Sequence, residues 1–139
     1  MSGQLTQFGA NRAVAAGVGQ SQAATWAMYL ALITALPAGP DTATLEDFND
    51  NEITTAGYSR QEVGWTSPAG DPSEIENDAE IVFGPFTADP PPVQYLFLTN
   101  TSIGTSGSVM AYWTADAEQD AGDGDSIRIG AGDLTMSVD

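Results

Sequence analysis

The chain has 139 residues, with 19 Asp plus Glu against three Arg, and a formal net charge of −16; it contains no Lys, His or Cys. Disulfides, thiolate nucleophiles, imidazole bases, Schiff-base lysines and metal centres built on Cys or His are thereby excluded. Arg12, Arg60 and Arg128 are too few and too scattered for the basic stripe that phosphate backbones require, so no nucleic-acid partner is expected.

A chain of this length hides about 68% of its unfolded surface on folding, and 42% hydrophobic residues suffice for a core, so one domain over 1–139 is predicted. The longest apolar stretch, Ala23 to Pro37, is interrupted by Thr25 and Thr34 and is shorter than a span of ~20 residues. With no basic segment ahead of Arg12, the reading is a soluble chain, without membrane attachment, whose mature form begins near Met1.

Leu5, Phe8, Arg12 and Ala15 or Ala16 follow helical spacing, which predicts a short helix over 4–16 that Gly17 and Gly19 terminate. Ser2 or Thr6 is its candidate cap. Thr25 to Thr34 is apolar on both alternating faces, and Pro37, Gly39 and Pro40 follow. A central strand covered on both sides accounts for that better than a helix. Residues 35–54 are rich in Pro, Asp and Asn and read as an acidic surface excursion in which Leu45 and Phe48 tack a turn down.

Six further segments follow, each bounded by Gly, Pro, Asp or Asn: Gly57–Trp65, Glu80–Phe86, Val93–Asn100, Ser108–Thr114, Ser126–Gly130 and Leu134–Val138. The predicted fold is all-β: an antiparallel, jelly-roll-like β-sandwich over 24–139, of about seven short strands, after one short N-terminal helix. Ala121-Gly122-Asp123 and Ala131-Gly132-Asp133 echo each other before the last strands and read as two similar turns.

Asp116, Glu118, Asp120, Asp123 and Asp125 form the densest carboxylate cluster. Hard oxygen ligands around glycine suit Ca²⁺, and Asp120, Asp123 and Asp125 are the candidate ligands, although a Glu at the twelfth position of an EF-hand is missing. The bland alternative is a solvated acidic loop. Glu74, Glu76, Asp78 and Glu80 alternate, so on an extended segment they share one face that must meet water or a cationic partner. Trp26, Trp65, Trp113 and the tyrosines serve a core or a subunit contact, or, at Trp65 or Trp113, an exposed carbohydrate platform. In Gly57-Tyr58-Ser59-Arg60 the Tyr58 and Arg60 side chains point the same way. The arginine should find a carboxylate within the chain or anchor a neighbouring subunit.

Met28 to Leu32, Glu52-Ile53, Gly57 to Arg60, Ile81 to Phe83, Ala121 to Asp123 and Ala131 to Asp139, in this order, resemble small virion structural proteins of tailed bacteriophages, of tail-fibre-like or capsid-decoration type. The acidic run Leu45 to Asn51 and the extra Gly-Asp before Ser126 depart from that pattern.

The resemblance implies a non-enzymatic virion component, assembled in the host cytoplasm and bound to the major capsid protein or to tail proteins, with no cofactor beyond a possible Ca²⁺. Decoration of the assembled capsid lattice is preferred, because no fibrous repeat or coiled-coil stalk is present. A tail or tail-fibre subunit, including a receptor- or carbohydrate-binding module, is the alternative. A homo-oligomer, with a trimer among the options, would use Trp26, Tyr58, Arg60 and Tyr95 at its contacts. An acid-rich, lysine-free surface is also compatible with a salty medium.

Overall fold

The structure is a computed structural model that describes residues 1–17, 27–70 and 73–138. It is an all-β, sandwich-like fold. Strands β1 (Gln4–Leu5), β2 (Tyr29–Ile33), β3 (Gln61–Glu62), β6 (Val93–Thr99) and β7 (Val109–Gln119) build an antiparallel sheet in the order β1-β7-β6-β2-β3. Two antiparallel ribbons, β4 (Ser73–Glu76) with β9 (Thr135–Val138) and β5 (Ile81–Phe83) with β8 (Ile127–Ile129), complete the strands. The helices are α1 (Gln7–Gly17) and α2 (Leu45–Asn49).

The interior position of β2, between β6 and β3, follows from its two apolar faces. Leu30 and Leu32 pack with Leu96, Leu98 and Trp113 and with Ile81, Phe83, Ile127 and Ile129 of one ribbon. Ala31 and Ile33 face the other way, onto Phe97, Val109 and Tyr112, and are covered by Leu45 and Phe48 of α2. The strand is thus buried on both sides, as its sequence predicts.

The excursion over 35–54 therefore does more than decorate the surface: α2 roofs the second face of the sheet. Thr44 caps α2 in a reciprocal box, its hydroxyl accepting from the Asp47 N–H while the Asp47 carboxylate accepts from the Thr44 N–H. Phe48 fills the interface with its ring tilted against Phe97 and Tyr112, centroids 5.3 and 6.1 Å away.

The N-terminal helix starts later than its periodicity suggests. Thr6 is the cap, its hydroxyl accepting from the Gly9 N–H at 3.1 Å, and this frees Gln4 and Leu5 to pair with Tyr112 and Ala111 as an edge strand. Gly9 is where α1 meets β7: a Cβ there would lie 2.2 Å from the Met110 carbonyl oxygen, so only glycine allows the approach.

Nine strands appear among the described residues where about seven were expected. The two additions are β1, two residues long, and β4, whose Glu74 and Glu76 point to solvent while Ile75 turns inward. In the segment 57–65 only Gln61–Glu62 pair as a strand; Trp65 forms a single bridge to Asn77. Among the described residues no helix is long and apolar enough to cross a membrane.

Candidate functional site

Tyr58 and Arg60 converge on one carboxylate. Arg60 Nε donates to Glu52 Oε1 at 2.9 Å, and a terminal guanidinium nitrogen donates to Glu52 Oε2 at 2.7 Å; Tyr58 donates its hydroxyl proton to Glu52 Oε1 at 2.6 Å. The bidentate fork is the geometry in which an arginine and a carboxylate bind most strongly. Arg60 also donates to the Thr101 carbonyl at 3.1 Å and to Asn49 Oδ1 at 3.2 Å, and its guanidinium lies over the Phe97 ring. Tyr58 accepts from the Leu32 N–H and stacks on Phe83.

Arg60 is only 8% exposed. Of the two roles open to it, pairing within the chain is the one the geometry displays. The guanidinium ties Asn49 of α2, Glu52 and the loop at Thr101 together over Phe97 of β6, and the Tyr58 hydroxyl links the same carboxylate to β2 through the Leu32 N–H. Burial, followed by the negative charge of Glu52, drives the Tyr58 hydroxyl well above the ordinary tyrosine range.

Tyr95 on β6 is half-buried against the cluster beneath α2. Leu30–Leu32 on β2 and Leu96–Leu98, the neighbours of Tyr95 on β6, are covered inside the chain. Trp26 lies outside the described residues.

Trp113 is 1% exposed and cannot serve as a sugar platform. Its indole N–H donates to the Thr135 carbonyl at 3.0 Å, and its ring is closed off by Gly3 on one side and by stacked Trp65, centroid 6.3 Å away, on another. An indole surrounded in this way is a core residue that fastens β9 to the sheet.

The calcium candidates do not converge either. Asp120, Asp123 and Asp125 are exposed, and among the described residues no three carboxylates gather into a group that could hold a metal ion. Asp125 instead closes a turn: its carboxylate accepts from the Gly122 N–H at 2.9 Å, and its N–H donates to the Gly122 carbonyl at 3.0 Å.

Asp133 does the same to Gly130, at 3.1 Å in both directions. Gly124 and Gly132 occupy the third position of these turns at φ +85° and +82°, the conformation that a type II turn reserves for glycine. The expectation of two similar turns is right in kind and wrong in register. The equivalent units are Gly122-Asp123-Gly124-Asp125 and Gly130-Ala131-Gly132-Asp133, on either side of β8, rather than the two Ala-Gly-Asp triplets.

One organising residue escaped the sequence reading. Asn77, 1% exposed, donates from Nδ2 to the carbonyls of Ala79 and Gly130, each at 2.9 Å, and accepts from the Leu134 N–H at 2.9 Å. Its backbone exchanges two further bonds with Leu134 and Gly132. Alternation held the signal: in the row of acids at 74, 76, 78 and 80, Ile75, Asn77 and Ala79 form the opposite face, so an amide there turns inward.

The ordered features are thus scaffolding: a buried ion pair under one loop, two aspartate-closed turns and an asparagine hub. The outside is dominated by carboxylates, including Glu80, which pairs with Arg128 at 2.9 Å in an exposed contact. No curated protein matches the sequence. The sequence model of the family described as "Podophage GP4 fiber I protein gp80" matches residues 5–137, so the chain belongs to that family and is a structural protein of tailed-phage virions.

Proposed function

We propose that this protein is a non-enzymatic, single-domain subunit of a phage fibre that works by adhesion to neighbouring virion proteins. The observation that carries the reading is the family match over residues 5–137, which spans the sheet, both ribbons and the roof helix. Composition supports it, since the chain lacks the Lys, His and Cys from which most nucleophiles and proton-transfer groups are drawn. A charge of −16 on a body braced by buried polar links favours partners with basic surfaces. Contact with two subunits of an assembled particle at once multiplies affinity through effective concentration.

Decoration of the capsid lattice is the second reading, favoured by the absence of a fibrous repeat or stalk among the described residues. In either placement the protein binds assembled particles better than dispersed subunits and adds its binding energy to the particle. The test is co-sedimentation of the purified protein with particles that lack it, across a range of salt. Saturable binding that weakens as salt rises is the expected result, because exposed opposite charges are screened. Turnover of a substrate by the purified protein, or no binding at low salt, contradicts the reading.

A further inference from the structure

We infer that the gap between β6 and β8 is a binding site for a neutral apolar molecule of benzene size. The inference goes beyond the virion reading and does not depend on it. Leu32, Val93, Leu96, Ile127 and Ile129 line a hollow of about 130 Å³, and each of them is at most 8% exposed. An apolar cavity of about 150 Å³, lined by comparable side chains, stays dry and takes up benzene or xenon. The hollow between β6 and β8 matches it in size and in chemistry.

Strand pairing explains why space is left there. Tyr95 pairs with Thr114 and Val93 with Gln119, so β7 runs five residues where β6 runs two. The surplus carries β7 away from its partner as a bulge. Ala115, within the bulge, lines the hollow and has only a methyl group with which to fill it.

The polar side chains of the lining set the ligand class. They are Gln94, Gln119, Arg128 and Asp133, the last three exposed. All four are already engaged within the chain. Gln94 Nε2 donates to the Ala115 carbonyl, Gln119 Nε2 to the Ala117 carbonyl and a terminal Arg128 nitrogen to Glu80, while the Asp133 carboxylate accepts from the Gly130 N–H. Among the described residues no buried side-chain nitrogen or oxygen lacks a hydrogen bond. Groups so engaged offer a polar guest little. Water held against the aliphatic side chains lacks the polar partners that fix it in place, so an apolar guest displaces it at little cost. A charged guest would have to shed its hydration against those same side chains.

The test is methyl NMR of the purified protein titrated with benzene. Shifts are expected at the methyl groups of Leu32, Val93, Leu96, Ile127 and Ile129, and the melting temperature should rise with benzene concentration, as binding to the native state alone requires. Pyridine, of the same shape but polar, should bind about tenfold more weakly. Ala115→Leu, which fills the hollow, should lose about tenfold or more in benzene affinity. Should that variant fail to fold, Val93→Ile, one methylene larger than wild type, makes the same comparison, and the wild-type shifts test the site without any variant. Absence of methyl shifts in benzene-saturated buffer, shifts centred away from these residues, equal affinity for pyridine, or unchanged benzene affinity in the filled variant overturns the proposal. Co-sedimentation with particles is untouched by any of these outcomes, so the virion reading stands or falls separately.

Discussion

Glu52 and Arg60 meet at 2.7 Å in the interior, and the same guanidinium donates to the Thr101 carbonyl at 3.1 Å. Removing one partner of a buried pair costs about 3–5 kcal/mol, because the survivor is left charged without compensation. Arg60→Ala and Glu52→Gln should each lower unfolding stability by about that amount. The double replacement Glu52→Leu with Arg60→Met should lose markedly less, since a desolvated pair can be exchanged for apolar packing of similar volume. Urea unfolding of the three variants checks this; a double variant as weak as the sum of its parts would contradict it.

Asn77 gives a second prediction. Its side chain makes three hydrogen bonds in a buried site, each worth about 1 kcal/mol, with further cost for the carbonyls of Ala79 and Gly130 left unpaired. Asn77→Ala should destabilise the protein by roughly 3 kcal/mol or more. The hydrogen-exchange protection lost first should be that of the Leu134 amide. Protection unchanged at Leu134 would show that the hub does not hold this turn.

The alkaline limit follows from two phenols. Burial pushes Tyr112 up to about 12, helped by its hydrogen bond to Asp41 and the charge there, and Tyr58 is raised by burial and by Glu52. A phenol whose value is higher in the folded than in the unfolded chain contributes stability in full below the unfolded value of about 10, and loses it as pH rises toward the folded value. Stability should therefore fall above pH ~10, by up to about 1.4 kcal/mol per pH unit for each phenol. For Tyr112 the fall ends near 12. Tyr112→Phe should flatten the slope between those limits, as read from urea midpoints at stepped pH, and an unchanged slope would contradict the assignment.

Calcium should leave the protein where it is. A site filled at a hundred times its Kd would add about 2.7 kcal/mol, and no such carboxylate group is assembled among the described residues. Melting curves in millimolar calcium and in chelator should superimpose. A calcium-dependent rise that Asp125→Asn abolishes would restore the metal reading.

The sheet was legible where the chemistry is periodic and local. The two-sided strand at Tyr29–Ile33, the Leu45/Phe48 contact and the convergence of Tyr58 and Arg60 follow from alternation and from the scarcity of cations. What stayed hidden depends on distant partners. Gln4–Leu5 is a strand only because β7 offers it an edge, and Asn77 is a hub only because Gly130 and Leu134 are brought to it from more than fifty residues away. Trp113 is unavailable to a sugar because Gly3 and Thr135 close around it, and no window along the chain contains all three. The register of the paired turns is a matter of φ: Gly124 and Gly132 are equivalent by their positive values, whereas the repeated triplet of letters aligns Gly122 with Gly132.

The central claim is adhesion within a virion, and the direct measurement is gold-labelled antibody against this chain imaged on intact particles. The account predicts label at fibres, in a fixed number per particle. Particles that carry no label at any site, while the protein accumulates free in the infected cell, would contradict it.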